Sequence, residues 1–490
     1  MGAERRIAEL EAALADRDAL VADRDALLAA RAVEIAERDA RIAALEEQVR
    51  QLAGLVEELK AKLSQNSGNS GRPPSSDGPG ARKNDHTKKG KSGNKRGGQR
   101  GHKGHRRELL PVEAVDHVVE VYPPACENCM AALPRVADPD PMRHQVTELP
   151  EPKPEVTEFR CHGVDCTCGH RTRASLEGIA DSSFGPRLSA MIAMLTGVYH
   201  LSRRTVRQVA KEMLGVEISL GAISGIERRV GDALESSVEE AWVKVRAAKV
   251  KYADGTSWLG SGTAMQLWTI VTACATVFKI LTEATANTLR PLFGKRIGIL
   301  VSDRATALYF WAMEARQICW VHLIRAFIAF SERDGPTGEH GQRLLDYTGL
   351  VFEYWHAYKD GHLSRTKLVE RMRPVRRDFE AALQKAVDLG IKGISGSCLD
   401  ILHHKKALWT FVDEDGVQPT NNDAEREIRA FVLWRKKSFG AQSERGHLFA
   451  ERIMTVAHTS RKQNRSVLSF LTETCRARVE RRPLPSLFAA

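Results

Sequence analysis

From Ile7 onward the chain places an apolar residue at every seventh position: Ile7, Leu14, Val21, Leu28, Ile35, Ile42, Val49, Val56 and Leu63. A 3.5-residue period held this long predicts a helix with a partner seam, hence a coiled coil over residues 1–63 and self-association. The companion seam is apolar at its ends (Leu10, Leu45, Leu52, Leu59) but carries Arg17, Arg24, Arg31 and Arg38 in its middle, which loosens the pairing or fixes its register. The pattern then collapses: residues 64–110 are Ser, Asn, Gly, Pro and basic side chains with almost nothing apolar, and predict a disordered linker. Apolar content returns as short β-like segments among cysteines in residues 111–180 and as three helical periods in 181–245. Strand-like runs follow in 246–335. Residues 336–412 predict helices polar on one side, 413–475 further helices, and 476–490 a tail.

Within 181–245, Ser202 and Ser219 stand where they cap helices and Gly215 where it breaks one. Two capped helices joined by a glycine-containing turn predict a helix-turn-helix whose last helix offers Ser224, Arg228 and Arg229 to DNA; a helical hairpin that binds nothing has the same pattern. From Val250 a strand leads to Asp254; Met265–Ala273 and Thr276–Thr282 read as two more, Asn287–Phe293 as a short helix, and the apolar run from Ile297 ends on Asp303. Further on, Pro419, Thr420, Asn421 and Asn422 predict a helix start, with Asp423 three residues after Thr420 as in a capping box. Glu425 then falls in the first turn, where an acid complements the helix dipole whether or not it has another role.

Charge and cysteines change the picture as follows. The net charge of +11 calls for a polyanionic partner. Residues 82–107 hold eleven Lys and Arg against one Asp, Lys88, Lys89, Lys95, Arg96 and Arg100 among them. That is either a solvated run or a sequence-blind, salt-sensitive contact with nucleic-acid phosphates. Nine cysteines in 490 residues are too few and too uneven for a disulfide scaffold, and predict a reducing, cytoplasmic setting. No apolar stretch is long enough to span a membrane, and no signal peptide is expected. Cys126 and Cys129, followed by Cys161, Cys166 and Cys168, read as a zinc ribbon with four of the five thiolates as ligands, or as cysteines lining a core. Asp165 stands three before Cys168, so Cys161 or Cys166 completes the set.

Asp254, Asp303 and Glu425 together form a constellation. Three convergent carboxylates repel unless cations neutralise them, and oxygen-only ligands select magnesium or manganese; two such ions serve an in-line phosphoryl transfer. Strand-strand-strand-helix-strand with acids at these ends is the layout of a ribonuclease-H-like fold. The expected class is therefore multidomain α and α/β: coiled coil, zinc ribbon, helix-turn-helix, and a ribonuclease-H-like domain with a helical insertion.

The chain resembles the large transposase of the insertion-sequence-66 type, a bacterial family with an Asp-Asp-Glu site. The resemblance runs from Ser64 to about Leu471. It is carried by the Ser/Asn/Pro linker, the cysteine motifs, Tyr199-His-Leu-Ser-Arg203, Ser219-Leu-Gly-Ala-Ile-Ser224, Asp254-x-Thr-x-Trp258, Val301-Ser-Asp-Arg304 and Cys319-Trp-Val-His-Leu323. The most specific match is Pro419-Thr-Asn-Asn-Asp-Ala-Glu-Arg-Glu-Ile-Arg429, continued by Trp434-Arg-Lys-Lys-Ser-Phe-Gly-Ala-Gln-Ser443.

The resemblance implies that Asp254, Asp303 and Glu425 are the metal-binding triad of a transposase acting on terminal inverted repeats and target DNA, nucleoid-associated when bound, with small accessory proteins from the same element. A decayed, non-enzymatic DNA-bridging protein and a nuclease that cuts without joining are the alternatives. Arg304, Arg325, Arg426, Arg429, Arg435, Lys436 and Lys437 are expected on DNA, although Arg426 and Arg429 suit neighbouring acids equally. Cys319 and His322 read as a half metal site, as a phosphate contact by His322, or as packing, with His322 expected near substrate and Cys319 in the core. One departure stands out: the family usually has Glu after its first Asp, where this chain has Gly255.

Overall fold

The computed structural model describes residues 2–70, 107–179, 181–391 and 393–488. In chain order, α1 (Gly2–Leu63) is followed by a small hairpin, β1 (Gly163–Asp165) and β2 (Arg171–Arg173). Four helices come next: α2 (Pro186–Gly197), α3 (Arg203–Leu214), α4 (Leu220–Ala233) and α5 (Glu235–Ala247). Then come β3 (Val250–Gly260), β4 (Thr263–Val271), β5 (Thr276–Leu281), α6 (Ala286–Phe293), β6 (Ile299–Ser302) and β7 (Arg316–Ile318). The remainder is helical: α7 (Trp320–Ser331), α8 (Pro336–Lys359), α9 (Arg365–Asp388), α10 (Ser395–His403), the single turns α11 (Lys405–Leu408) and α12 (Thr410–Asp413), α13 (Asn422–Ser438), α14 (Glu444–Lys462) and α15 (Val467–Val479). Among the described residues no helix is long and apolar enough to cross a membrane.

The chain forms two compact units, Met1–Asn84 with Val321–Leu402, and Asp85–Trp320 with His403–Ala490. In the first, α1 is one unbroken helix of 62 residues, about 93 Å long at 1.5 Å per residue. Its heptad residues Ile7, Leu14, Leu28, Ile35 and Ile42 are exposed. Helices α8 and α9 form a hairpin closed by Gly361 at φ +79° and by the Ser364 hydroxyl, which accepts from the Lys367 N–H. Leu344, Val351, Leu368, Met372 and Phe379 are buried, and Phe379 meets Phe327 of α7 edge-on at 5.9 Å.

The second unit is built on a five-stranded sheet in the order β5-β4-β3-β6-β7. β4 runs antiparallel to both of its neighbours, β3 and β5; β3, β6 and β7 are parallel. Helices α13 and α14 pack on the antiparallel side, and α2, α4 and α15 pack together with α14. Trp258, Phe278 and Phe431 are buried between sheet and α13, with ring centroids 5.4 and 4.8 Å apart.

Both sheet edges are closed by side chains. Along β5, the N–H groups of Ile280, Phe278 and Thr276 donate to Glu451, Thr455 and Thr459 of α14 at 2.8, 3.2 and 3.1 Å. Four residues of helix advance about 6 Å and two of strand about 6.8 Å, so three successive acceptors stay in step with alternate donors. At the other edge, Gln317 Oε1 accepts from the Phe411 N–H at 2.8 Å and the Arg316 carbonyl accepts from the Thr410 hydroxyl at 2.5 Å.

Ser202, Gly215 and Ser219 act as their types imply. The two hydroxyls accept from the Thr205 and Ala222 N–H groups, and Gly215 sits at φ +66°. Two expectations are corrected. β3 does not end at Asp254 but runs on to Gly260, because β4 pairs with it throughout. The β-like segments expected between Cys129 and Cys161 are not strands; β1 and β2 instead flank Cys166 and Cys168.

His200 ties the end of α2 to α13: its ring stacks on Trp434 at 4.7 Å and its Nδ1 lies 2.9 Å from the Gly197 carbonyl. Burial pushes its pKa from 6.5 down to about 4, against the pull of the Gly197 carbonyl. The unfolded chain then binds the proton more readily than the fold, so stability rises with pH between about 4 and 6.5 and is level above. His200→Asn, which tolerates the φ of +57° at this position, is expected to flatten that acid limb by about 1–2 kcal/mol after allowance for solvent screening. Urea unfolding across the pH range is the measurement.

Candidate active site

Asp254 is the fifth residue of β3 and half-buried. It lies where the sheet opens, since pairing to β4 continues through Asp254 and Thr269 while pairing to β6 stops at Tyr252 and Val301. Partners across β3 and β6 differ by 49 positions, Val250 with Ile299 and Tyr252 with Val301. The same offset carries Asp254 to Asp303, the first residue beyond β6. Carried two residues past the last β3–β6 pair, that register brings Asp254, still paired with β4, level with Asp303 just beyond β6.

Asp303 Oδ1 accepts from the Ala305 N–H at 3.0 Å. Its carbonyl accepts from Nη2 of Arg316 at 2.9 Å, and that guanidinium also reaches Ser302 Oγ at 3.0 Å. Arg316 is fully buried; burial lowers its pKa, and the charge of Asp303 acts in the opposite sense.

Glu425 lies in the first turn of α13, half-buried, with its N–H on the Asn421 carbonyl at 3.1 Å. The helix starts where the sequence predicts, but the cap is different. Asn421 is the cap residue and makes no side-chain cap bond. Its Nδ2 donates instead to the Ala253 carbonyl at 2.8 Å, and its N–H to Cys319 Sγ at 3.2 Å. Cys319 in turn donates its N–H to the Ser302 carbonyl at 2.8 Å, and Trp320 donates to the Pro419 carbonyl at 2.9 Å. A cap would use Oδ1 as acceptor, but the amide is oriented by its Nδ2 bond to Ala253, and the buried Oδ1 is left without a hydrogen-bond partner among the described residues.

Each carboxylate therefore sits one residue, or one helical turn, from the same knot of hydrogen bonds. Cys319 is buried, as expected, and its Sγ lies within 4.8 Å of a Glu425 carboxylate oxygen. Oxygens of Asp254, Asp303 and Glu425 do not all come within that distance of one another among the described residues. Gly255 is also explained. It pairs with Trp268, and a Cβ there would lie 2.8 Å from the indole, so the glutamate usual at this place needs a different neighbour.

The basic candidates divide. Arg429 and Lys436 are exposed on α13, together with Arg426 and Lys437. Arg435 is half-buried, and its Nη1 donates to the carbonyl and hydroxyl of Ser257, clamping α13 to β3. His322 and Arg325 lie half-buried on α7. Arg228 is exposed on α4, but the Ser224 hydroxyl accepts from Arg445 at 2.9 Å and Arg229 stands 3.9 Å from Asp181. Lys88, Lys89, Lys95, Arg96 and Arg100 lie outside the described residues.

The front cysteines form two tight turns. At Cys126 to Met130 the Met130 N–H donates to the Cys126 carbonyl at 2.9 Å, and backbone N–H groups, of Cys129 first and then Asn128, hold the Cys126 thiol below its ordinary pKa. At Cys166 the Gly169 N–H donates to its carbonyl at 2.9 Å, and the Cys168 N–H lowers its thiol in the same way. Asp165, by contrast, pairs with Arg171 at 3.0 Å. Among the described residues the two turns do not draw three cysteines into one group.

Sequence reasoning missed Arg316 and the tertiary use of Asn421; neither has a local signal, since the partners of both lie on other elements.

No curated protein matches the chain. The sequence profile of a family of unknown function (DUF6444) matches residues 27–108, spanning the second half of α1 and the basic segment. A second profile matches residues 181–448, more than half the chain and all of the stretch that carries Asp254, Asp303 and Glu425. On that match the chain belongs to the Transposase IS66 family.

Proposed function

We propose that this chain is the DNA transposase of a bacterial insertion sequence, binding element ends and catalysing metal-dependent strand cleavage and strand transfer at Asp254, Asp303 and Glu425. The observation that carries this reading is the 49-residue register offset between β3 and β6, which equals the spacing of Asp254 and Asp303, together with the hydrogen-bond knot beside Glu425. The strand order and the mixed pairing support a ribonuclease-H-like core with residues 336–412 as a helical insertion.

The donor set fits a hard divalent ion: three half-buried carboxylates, with the nearby sulfur of Cys319 already accepting a hydrogen bond. Magnesium or manganese, when bound, would supply charge neutralisation for phosphoryl transfer. The protein's own share is positional. Asn421 and Cys319 hold the backbone beside each acid, Arg316 fixes the Asp303 main chain, and the exposed face of α13 (Arg426, Arg429, Lys436) offers cations to DNA phosphates beside the acids. Cys126, Cys129, Cys166 and Cys168 are assigned a structural zinc, on the strength of the two turns whose N–H groups point at sulfur. The exposed heptad seam of α1 is assigned to self-association.

Labelled element ends incubated with magnesium are expected to be cut and joined. Asp303→Asn is expected to lower cleavage by at least about a thousand-fold while leaving end binding intact; retained cleavage in that variant overturns the site. Cutting without joining identifies a nuclease, and binding without cutting a DNA-bridging protein. Asn421→Ala is expected to cost about 1–3 kcal/mol of stability. It should also lower cleavage about 10–100-fold with a raised magnesium requirement; a purely structural role would leave the metal titration unmoved. Metal analysis is expected to find about one zinc per chain, lost in Cys126→Ser and Cys168→Ser and kept in Cys161→Ser.

A further inference from the structure

The sequence pattern makes α4 the helix that reads DNA, yet α4 is enclosed. It packs against α2, α3, α14 and α15 and buries Ile223, Ile226, Glu227 and Val230. A helix enters a major groove about 12 Å wide only if it has a free face. α3 has one. It buries Val206 and Ala210, and its opposite side carries Arg204, Arg207, Gln208 and Lys211 at i, i+3, i+4 and i+7, all exposed. These four side chains line one wall of a depression closed on the other side by residues 217–220. The acid among the lining residues, Glu217, is held by Lys211 at 2.7 Å. Arg203 is neutralised by Glu227 at 2.5 Å. Two guanidiniums, Arg204 and Arg207, remain one helical turn apart on the outer face.

We propose that α3 is the helix this chain lays on duplex DNA, with Arg204 and Arg207 on the phosphate backbone and Gln208 toward base edges. The proposal rests on the transposase reading above and replaces α4 by α3 within it. Two exposed cations spaced by a turn, with beside them the Gln208 amide, which donates to Glu212 at 2.9 Å on the free protein, match a polyanion that carries hydrogen-bonding edges.

The test uses the full chain and two probes, a short duplex of arbitrary sequence and the element's own end, each titrated with salt. Arg204→Gln with Arg207→Gln is expected to reduce the slope of log affinity against log salt by about 2, at about 0.9 per phosphate contact. Arg228→Gln on α4 is expected to leave the slope unchanged. The basic segment contributes equally to all three proteins, so the difference isolates the helix. Thermal melting monitors the fold, and Arg204→Lys with Arg207→Lys should restore the slope. An unchanged slope in the double variant, or a larger loss in Arg228→Gln, overturns the α3 surface and leaves the transposase reading standing. Loss of affinity for poly-glutamate with duplex binding intact would reassign the face to an acidic protein and also overturn it. A wild-type chain that binds neither duplex sinks the transposase reading together with this surface.

Discussion

The placement of the three acids depends on one buried amide. Asn421 bonds to residues 168 and 102 positions away, Ala253 and Cys319, and Cys319 bonds onward to Ser302. Asp254 and Asp303 follow Ala253 and Ser302 directly, and the Glu425 N–H closes on the Asn421 carbonyl. The main chain, rather than contacts among the carboxylates, therefore sets their positions. Like charges gain nothing from approaching one another, so an arrangement of acids has to be set by the scaffold and not by the acids themselves. The start of α13 helps, since its free N–H groups present partial positive charge to Glu425.

What could be read from the sequence divides by range. Ser202, Gly215 and Ser219 act within four residues of themselves, so residue type alone predicts what they do. The strand through Asp254 and the strand ending before Asp303 are legible as apolar runs, and their separation of 49 equals the register offset between them. The cap expected at Asn421 is absent because the preference of asparagine for helix starts is local, whereas the orientation of this side chain is set by the distant Ala253 carbonyl on β3, which its amide nitrogen reaches. Gly255 looks like the loss of an acid until Trp268 is placed opposite it. The enclosure of α4 has the same origin: its periodicity is that of any half-apolar helix, and the helices that cover it, α14 and α15, are more than 200 residues downstream.

Arg435 shows the same limit at a single side chain. Its neighbours Lys436 and Lys437 are exposed, as a basic run on a helix leads one to expect. Arg435 itself turns inward to Ser257, and burial lowers its pKa. A charge count along α13 cannot separate a residue that clamps the helix to β3 from those free to meet phosphate.

The pairing of α14 with β5 has a consequence for assembly. An open strand edge is a template on which another chain can be copied onto the sheet, and proteins that gather several copies around DNA expose any such edge to neighbours at high local concentration. Here Glu451, Thr455 and Thr459 occupy alternate donors along one edge, and Gln317 and Thr410 complete the other. The sheet is finite by construction. Any association between such chains would have to run through side chains on helices, a mode that sequence can tune and reverse, and not through backbone accretion on this sheet, which it cannot easily undo.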